Sequence, residues 1–386
     1  MRLCLFTPTF LPRVGGTEVV IDALARQFAA RGHRTVVMAK SDTPRQPAAL
    51  DVPYRVRWYR KPVCHRLFPE RLGRQLRQVF LEEQFDLVLA FYGQPTGYTA
   101  VRFGQLTGVP VVMVCQGGDL YKASKHRRRP HLWRRIVYAY NHADSIVAIS
   151  PYTSTLIREI VPQPQALESI PNGIDVDSFH HPAARPADFR DPRPFCLCLG
   201  NLGPMKGFDD AIRAFARVRK QVAPMAMVVV GSGRLERYLR DLVRLHRLDR
   251  DILFLGRRTG DDKRWLLQNC RFGLMPSIEE GHPIVGLELL SVGKPVICTT
   301  NPAFDDMYDE LNAIRVPPRS PEALAEAMIQ IGAMDHAWMG KISRDRAQRY
   351  AWSKIADRYL AMFDRLLTSR LEPRPVVVPV GAELSG

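Results

Sequence analysis

Short apolar runs, rich in β-branched residues, recur along the chain and alternate with stretches of helical character. Such alternation is typical of βαβ units, whose strands form a parallel sheet covered by helices. The runs fall into two series and therefore predict two separate α/β domains. The first series is 3–6, 35–38, 87–91, 111–115 and 146–149, and the second is 195–199, 227–230, 252–255, 272–275 and 296–298.

The length of 386 residues also favours two hydrophobic cores over one. Between the two series, residues 180–194 are rich in proline, which predicts a linker there. The expected domains are Rossmann-like and span 1–180 and 195–350. A helix over 351–370 and a disordered tail over 371–386 are expected to follow, since prolines interrupt the tail. Ligands of open α/β sheets collect beyond the carboxyl ends of the strands, so two facing domains would enclose a cleft.

The net charge of +16 is concentrated in the first half of the chain. Residues 54–77 contain eight Lys or Arg and one acid, and residues 121–143 contain seven and no acid. Either stretch could be a solvated basic face, but the two together favour an anionic partner, with a membrane surface preferred. Nucleic acid is disfavoured because no zinc finger, RRM signature or basic zipper accompanies the charge. The aromatic residues expected at the membrane interface are Trp58, Tyr59, Phe68 and Trp133.

The sequence contains no run of about 18 apolar residues, and its N-terminus loses apolar character too early for a secretory signal. The expected location is the cytoplasm, with peripheral contact at the inner face of the cytoplasmic membrane. The seven cysteines form no C-x-x-C pair and mostly lie within apolar runs. This pattern favours reduced, buried thiols over a metal site or disulfides.

Two glycine-containing turns follow predicted strands. Residues 15–18 (GGTE) open a helix, and residues 200–207 (GNLGPMKG) precede another. Glycines let the backbone approach a ligand, and the first N–H groups of a helix have no internal partner, so both turns could bind an anion. Lys206 could neutralise a phosphate there. The alternatives are an ordinary turn that starts a helix and a solvated surface lysine.

The most specific segment is 276–288 (PSIEEGHPIVGLE), which joins a buried strand to a helix. Glu280 would lie at the strand end and Glu288 one to two turns inside the helix, so both carboxylates could point into one pocket. Carboxylates accept hydrogen bonds from the hydroxyl pairs of a sugar or ribose. Either glutamate taken alone could equally be a surface acid.

Together these segments resemble family 4 of the retaining glycosyltransferases, which have the GT-B fold of two facing Rossmann-like domains. The resemblance spans about residues 3–367, with the motifs in the order of the family. Glu280 and Glu288 reproduce the E-x7-E spacing of the family. The matching segments are 15–18, 170–175, 200–207, 230–233, 280–288 and 350–356, the last at the start of a helix that crosses back to the N-terminal domain.

The resemblance implies a metal-independent glycosyltransferase without a cofactor. It would move a sugar from a nucleotide diphosphate sugar, held by the C-terminal domain, to a glycan or lipid-linked acceptor on the N-terminal domain. Such a reaction suits the synthesis of a surface polysaccharide or glycolipid. Lys206 and the Gly16 backbone would hold the diphosphate, Glu280 the transferred sugar and Glu288 the ribose.

The implied site residues fall into three groups. The donor-binding residues are Gly15, Gly16, Asn201, Lys206, Gly256, Arg257, Arg258, Lys263, Glu280, Gly281, Ile284, Val285 and Glu288. The acceptor-binding residues are Thr17, Gln116 and Asp119. The catalytic residues are Lys206, Glu280 and Gln116.

The chain departs from the family at two positions. Asn201 stands where an arginine often lies beside the donor phosphates, so Arg257, Arg258 or an acceptor-side residue is expected to compensate, or donor affinity to be lower. Gln116 replaces a histidine and cannot shuttle a proton at neutral pH, although it can bind a sugar hydroxyl. Asn172 and Asp175 are interpreted as turn residues, and no metal site is predicted.

Two alternatives stay open. One is another enzyme of GT-B fold, such as a nucleotide-sugar epimerase; a phosphorylase is disfavoured because no pyridoxal-lysine context is recognisable. The other is a non-catalytic basic protein that binds lipid or nucleic acid on the same scaffold.

Overall fold

The structure is a computed structural model that describes residues 1–13, 15–41, 50–60, 70–164, 166–222 and 224–371. Within these residues the chain forms two parallel sheets, of seven and six strands. The chain passes from one sheet to the other after Ser169 and enters the second at Phe195. The fold class is therefore the predicted one, with two α/β domains.

The first domain contains one sheet with helices on both faces. Its strands are β1 (Arg2–Thr7), β2 (Arg34–Lys40), β3 (Arg55–Tyr59), β4 (Leu87–Phe91), β5 (Val111–Cys115), β6 (Ser145–Ala148) and β7 (Leu167–Ser169). Its helices are α1 (Gly16–Ala30), α2 (Glu70–Glu83), α3 (Tyr98–Thr107), α4 (Pro130–Asn141) and α5 (Pro151–Arg158). The strand order is β3-β2-β1-β4-β5-β6-β7, all parallel, with Leu5 opposite Leu89 where β1 meets β4.

The second domain repeats this architecture. Its strands are β8 (Phe195–Leu199), β9 (Ala226–Val230), β10 (Ile252–Gly256), β11 (Phe272–Met275), β12 (Val296–Thr299) and β13 (Ala313–Val316), in the order β10-β9-β8-β11-β12-β13. Its helices are α6 (Phe208–Val218), α7 (Glu236–Leu245), α8 (Gly260–Asn269), α9 (Ile284–Val292), α10 (Pro321–Ile331) and α11 (His336–Ala347). Strands β9 and β10 lie on one side of β8, and the strands from β11 onward lie on its other side. The first domain shows the same change of side at β1, with β2 and β3 on one side and β4 onward on the other.

The central strands are buried along most or all of their length because helices cover both faces of each sheet. All five residues of β5 and of β4 are buried, which explains why these segments are continuous apolar runs. On one face of the first sheet, helices α2 to α5 enclose one core; on the other face, α1 encloses a second. Cysteines 4, 115, 196, 198, 270 and 298 are buried and free, whereas Cys64 lies outside the described residues.

The last helix, α12 (Trp352–Leu371), returns to the first domain as predicted. Tyr359 and Phe363 pack on Phe28 of α1, with ring centroids 6.3 Å and 5.7 Å away respectively. A parallel bridge between Ile174 and Ala351 joins the segment that leaves the first domain after β7 to the segment that returns to it before α12. The predicted tail lies outside the described residues from 372 onward.

Helices α2 and α4, which carry parts of the two basic stretches, pack on the same face of the first sheet, with α3 in contact with both. Among the described residues, none of the helices is long and apolar enough to cross a membrane. The basic residues that are exposed in α2, in α4 and in the segment before α4 are Arg71, Arg74, Arg77, Lys122, Lys125, Arg128, Arg129 and Arg134.

Several residues expected at a membrane interface are engaged elsewhere. Arg55 and Arg57 form ion pairs with Glu83, whose carboxylate is buried. Tyr59 is buried against Phe6, so the prediction that it meets a membrane is wrong. The remaining aromatics are Trp58, which packs against the core on the α1 face; Trp133, which is half-buried under Arg127; and Phe68, which lies outside the described residues.

Candidate active site

A cavity of about 570 Å³ lies between the two domains, at the carboxyl ends of both sheets. Gly15 and Gly16 reach it after β1, Lys206 after β8 and Glu280 after β11. These strands flank the positions where each sheet reverses its order, which is where open α/β sheets bind ligands. The predicted site residues that line the cavity are Gly15, Gly16, Thr17, Gln116, Asn201, Lys206, Arg257, Arg258, Lys263, Glu280, Gly281, Ile284, Val285 and Glu288.

Lys206 and Glu280 meet inside the cavity. Lys206 ends a short 3-10 turn after β8, and its Nζ forms an ion pair with Oε1 of Glu280. The Ser277 hydroxyl donates a hydrogen bond to the same carboxylate oxygen over 2.8 Å. The turn depends on Gly207, whose φ is +64° and where a side chain would collide with the carbonyl oxygen of Pro276. A cation and a carboxylate are thus held together at the ends of two neighbouring strands.

Glu288 lies in the second turn of α9 and is 3% exposed. Its Oε1 pairs with Nζ of Lys263 over 2.6 Å. Its Oε2 is buried and has no hydrogen-bond partner within the described part of the chain. A buried acceptor left without a donor costs about 1–3 kcal/mol, so this oxygen points to a ligand that supplies the donor.

The N-termini of α1 and α9 approach each other across the cavity. Gly16 begins α1 and Ile284 begins α9, and a Cβ added to Gly16 would lie 3.8 Å from Cγ1 of Ile284. The N-cap residues, Gly15 and Pro283, provide no side-chain hydrogen bond to the first turn of their helices. Because the first amides of a helix carry partial positive charge, the two ends favour an anion between them.

The first domain contributes polar side chains that already have partners. The Thr17 hydroxyl lies 2.8 Å from the Tyr92 hydroxyl. Gln116 donates to Oδ1 of Asn172 over 3.4 Å, and Asn172 in turn donates to the carbonyl of His282 over 3.0 Å. Asn172, interpreted from sequence as a turn residue, is therefore also a buried bridge from Gln116 to residues 276–283, the loop that joins β11 to α9 in the other domain.

Two predicted residues do not line the cavity. Asp119 is 2% exposed and accepts a hydrogen bond from the N–H of Gly93 over 2.5 Å. Burial raises the pKa of Asp119. Its carboxylate supports the turn at Gly93 and does not reach into the cavity, where an acceptor would bind. Gly256 ends β10 with φ of +65°, and its carbonyl accepts from the N–H of Gly231 over 2.7 Å.

Arg258 lines the cavity, but its guanidinium is engaged. It pairs with Asp188 and, over 3.0 Å, with Asp262, and its side chain is 16% exposed. It therefore compensates poorly for an arginine at position 201. Asn201 and Arg257 are both exposed at the edge of the cavity.

Sequence reasoning missed several lining residues. Gly231 belongs to a motif of the resemblance; its φ is +140° and a side chain there would collide with the carbonyl of Gly200. Arg13 and Glu18 flank the glycine turn, and Tyr121 follows the Gln116 loop without any motif that would mark it. The lining residues missed in this way include Arg13, Glu18, Tyr121, Asn172, Gly200, Gly231, Ser232, Gly233 and His282.

Metal-ligating side chains are scattered. In the described ranges, no three His, Cys, Asp or Glu side chains come together in a way that could hold a metal ion. Asp175 has the spacing of an Asp-x-Asp pair with Asp177, but its Oδ1 accepts from the N–H of Ser178 over 3.2 Å, as expected for a turn.

Comparison with known proteins gives consistent matches in both domains. The family model described as Glycosyltransferase Family 4 matches residues 14–178, and the model described as Glycosyl transferases group 1 matches residues 193–333. A GDP-mannose-dependent alpha-(1-6)-phosphatidylinositol monomannoside mannosyltransferase of Mycobacterium tuberculosis is 26% identical over 363 residues, which is 90% of each chain.

Solved structures share the fold. Sucrose-phosphate synthase from Thermosynechococcus elongatus superposes with a TM-score of 0.82 at 21% identity, over 95% of this chain and 99% of that one. Anabaena HepE in complex with UDP-glucose superposes with a TM-score of 0.79 at 18% identity, over 95% of this chain and all of the other.

Two facing domains of this topology, each matched by a glycosyltransferase family model, define an enzyme of the GT-B class of glycosyltransferases. Within that class, the chain belongs to glycosyltransferase family 4, with a C-terminal domain of the group 1 type.

Proposed function

We propose that this enzyme is a retaining, metal-independent glycosyltransferase that transfers a sugar from a nucleotide diphosphate sugar to a lipid-linked or glycan acceptor. The observation that carries the proposal is the unpartnered Oε2 of Glu288, buried in the same cavity as Lys206 and the start of α9. A ribose hydroxyl would supply the missing donor.

The main catalytic requirement is to stabilise the negative charge that develops on the leaving nucleotide diphosphate. Lys206 and the two helix N-termini supply positive charge in one place without a divalent ion. Their position is preorganised by the strands they follow, so little reorganisation is needed when the sugar–phosphate bond breaks. Gln116 cannot act as a base at neutral pH, which favours a front-face route in which the donor phosphate accepts the acceptor proton.

The C-terminal domain binds the donor in this proposal, and the N-terminal domain binds the acceptor. The similarity to a GDP-mannose-dependent mannosyltransferase that acts on a phosphatidylinositol mannoside supports a glycolipid acceptor. The exposed basic residues of α2, α4 and the segment before α4 would place the acceptor side against an anionic membrane. The enzyme would work at the inner face of the cytoplasmic membrane.

The test has two stages. A thermal-shift panel of GDP, UDP, GDP-mannose and UDP-glucose identifies the nucleotide, because a ligand at a hundred times its Kd adds about 2.7 kcal/mol of stability. The matched donor, here expected to be GDP-mannose, is then incubated with vesicles that contain phosphatidylinositol monomannoside. Release of GDP with a new α-mannosyl signal in the lipid fraction is expected. A product of inverted configuration, or GDP release that does not depend on acceptor, contradicts the proposal.

A further inference from the structure

Glu279 precedes Glu280 in the loop over residues 276–283, called the donor loop because the proposed function places the donor sugar beside it, yet its carboxylate contacts the other domain. The residue is 7% exposed. Its Oε1 accepts hydrogen bonds from the N–H of Lys122 over 2.9 Å and from the hydroxyl of Tyr152 over 2.6 Å. Both donors belong to the first domain, so a buried carboxylate of the second domain joins the two halves beside the cavity.

The contacts of Glu279 bear directly on Tyr121, which precedes Lys122 and lines the cavity. The ring of Tyr121 stacks on that of Tyr152, with centroids 6.4 Å apart and an interplanar angle of 28°. A Cβ added to Gly281 would lie 3.1 Å from the Tyr121 hydroxyl. The Tyr121 ring therefore lies against the donor loop, one residue from Glu280.

Both tyrosine hydroxyls remain protonated at neutral pH. Burial and the hydrogen bond to Glu279 raise the pKa of Tyr152. Burial and, next, the charge of Glu280 raise the pKa of Tyr121. Tyr152 thus stays a hydrogen-bond donor to Glu279, and Tyr121 stays able to donate to a ligand.

We propose that Glu279 is a positioning residue for sugar transfer: it holds the segment after Tyr121 against the donor loop and so sets the Tyr121 ring as a wall of the cavity at the sugar end. This inference rests on the proposed function, in which Glu280 contacts the transferred sugar. Glu279 contacts the first domain, whereas Glu288 and Lys263, to which we assign nucleotide binding, pair with each other within the second domain.

The variants that test this are Glu279→Ala, Tyr152→Phe and the double variant, with Glu326→Ala, at an exposed position of α10, as the matched control. With GDP-mannose as donor, Glu279→Ala is expected to lower kcat by about 10-fold to 100-fold, since small misplacements at the reacting centre are costly. The Kd of GDP, measured by calorimetry, should stay at the wild-type value. The double variant should be no slower than Glu279→Ala, because both changes remove the same contact.

A wild-type kcat in Glu279→Ala, or a Kd for GDP that rises in step with the loss of kcat, would overturn the inference. Tyr152→Phe removes one oxygen atom and keeps the test valid if Glu279→Ala does not fold. A wild-type protein that binds none of GDP, UDP, GDP-mannose and UDP-glucose and transfers no sugar from either donor would instead overturn the proposed function. Amide hydrogen exchange then tests the contact on which the inference depends, independently of activity: the Lys122 amide should exchange faster in Glu279→Ala than in Glu326→Ala, and equal rates would contradict the contact and with it the positioning role.

Discussion

Lys206 and Glu280 form an ion pair inside the interdomain cavity, although 74 residues separate them in sequence. The cation that we assign to the donor diphosphate is thus held by the carboxylate that we assign to the sugar. A bound diphosphate would compete with Glu280 for the ammonium, and that exchange links phosphate binding to the orientation of the sugar-binding carboxylate.

Replacement of Lys206 by alanine should lower kcat by about 100-fold to 1000-fold, because the charge that it meets is greatest as the sugar–phosphate bond breaks. Steady-state kinetics with matched melting curves measure this. Lys220→Ala, at an exposed position of the same domain, is the control and should keep the wild-type rate. A Lys206→Ala enzyme with a wild-type kcat would show that the assignment to the phosphate is incorrect.

Replacement of Glu288 by alanine should raise the KM for the donor by about 10-fold to 100-fold, the value of a hydrogen bond to a charged group. The kcat should change little, since ribose hydroxyls do not change charge during transfer. Glu310→Ala, at an exposed site, provides the comparison in the same assay. A variant that loses kcat alone would contradict a ribose contact.

Treatment with EDTA should leave the transfer rate essentially unchanged, because the positive charge is assigned to Lys206 and to the ends of α1 and α9. The assay is run on protein dialysed against EDTA, with and without added magnesium or manganese. Full loss of activity that either ion restores would refute metal independence.

Binding to vesicles should require anionic lipid and weaken at raised salt, because the exposed arginines around α4 act through screened charge. Arg128→Glu/Arg129→Glu should reduce co-sedimentation about 10-fold or more, since each basic residue near the surface contributes about 1 kcal/mol. Arg234→Glu/Arg237→Glu makes the same charge change in the second domain and should bind as wild type. Equal binding to neutral vesicles would argue against this surface.

Glu83 should make stability dependent on acid pH. Burial alone would raise the pKa of Glu83, but hydrogen bonds from Arg57 and Arg34 outweigh it and the pKa is lowered. Its stabilisation is therefore complete above the unfolded value of 4.5 and is lost as pH falls through the lower folded pKa. Glu83→Gln should destabilise by about 1–2 kcal/mol at pH 7, allowing for the exposure of the arginines.

Denaturant unfolding of wild type and Glu83→Gln at pH 7 and pH 3 measures this, with Glu326→Gln as the exposed control. The difference between wild type and Glu83→Gln should shrink at the lower pH. A difference that is the same at both pH values would mean that the carboxylate charge does not stabilise the fold.

The sequence predicted correctly that two residues share one pocket where their positions depend on local structure. Glu280 and Glu288 face one cavity because a strand end and the helix that follows it hold them at a spacing set within one segment. Asp119 does not line the cavity, because its carboxylate accepts a hydrogen bond from the N–H of Gly93, in a turn 26 residues earlier in the sequence. No local pattern could have predicted that partner.

The sequence by itself determined the two parallel sheets and the loops at their strand ends, because apolar periodicity and glycine-containing turns act within a few residues. Only the tertiary structure decided which side chains meet across the sheets and the cleft. Arg57 belongs to a basic stretch that the sequence assigned to a membrane surface, but in the structure it pairs with Glu83. Glu279 accepts a hydrogen bond from Tyr152 in the other domain. Such pairs depend on how helices pack on a sheet and how two domains approach, and the sequence near either residue does not encode that geometry.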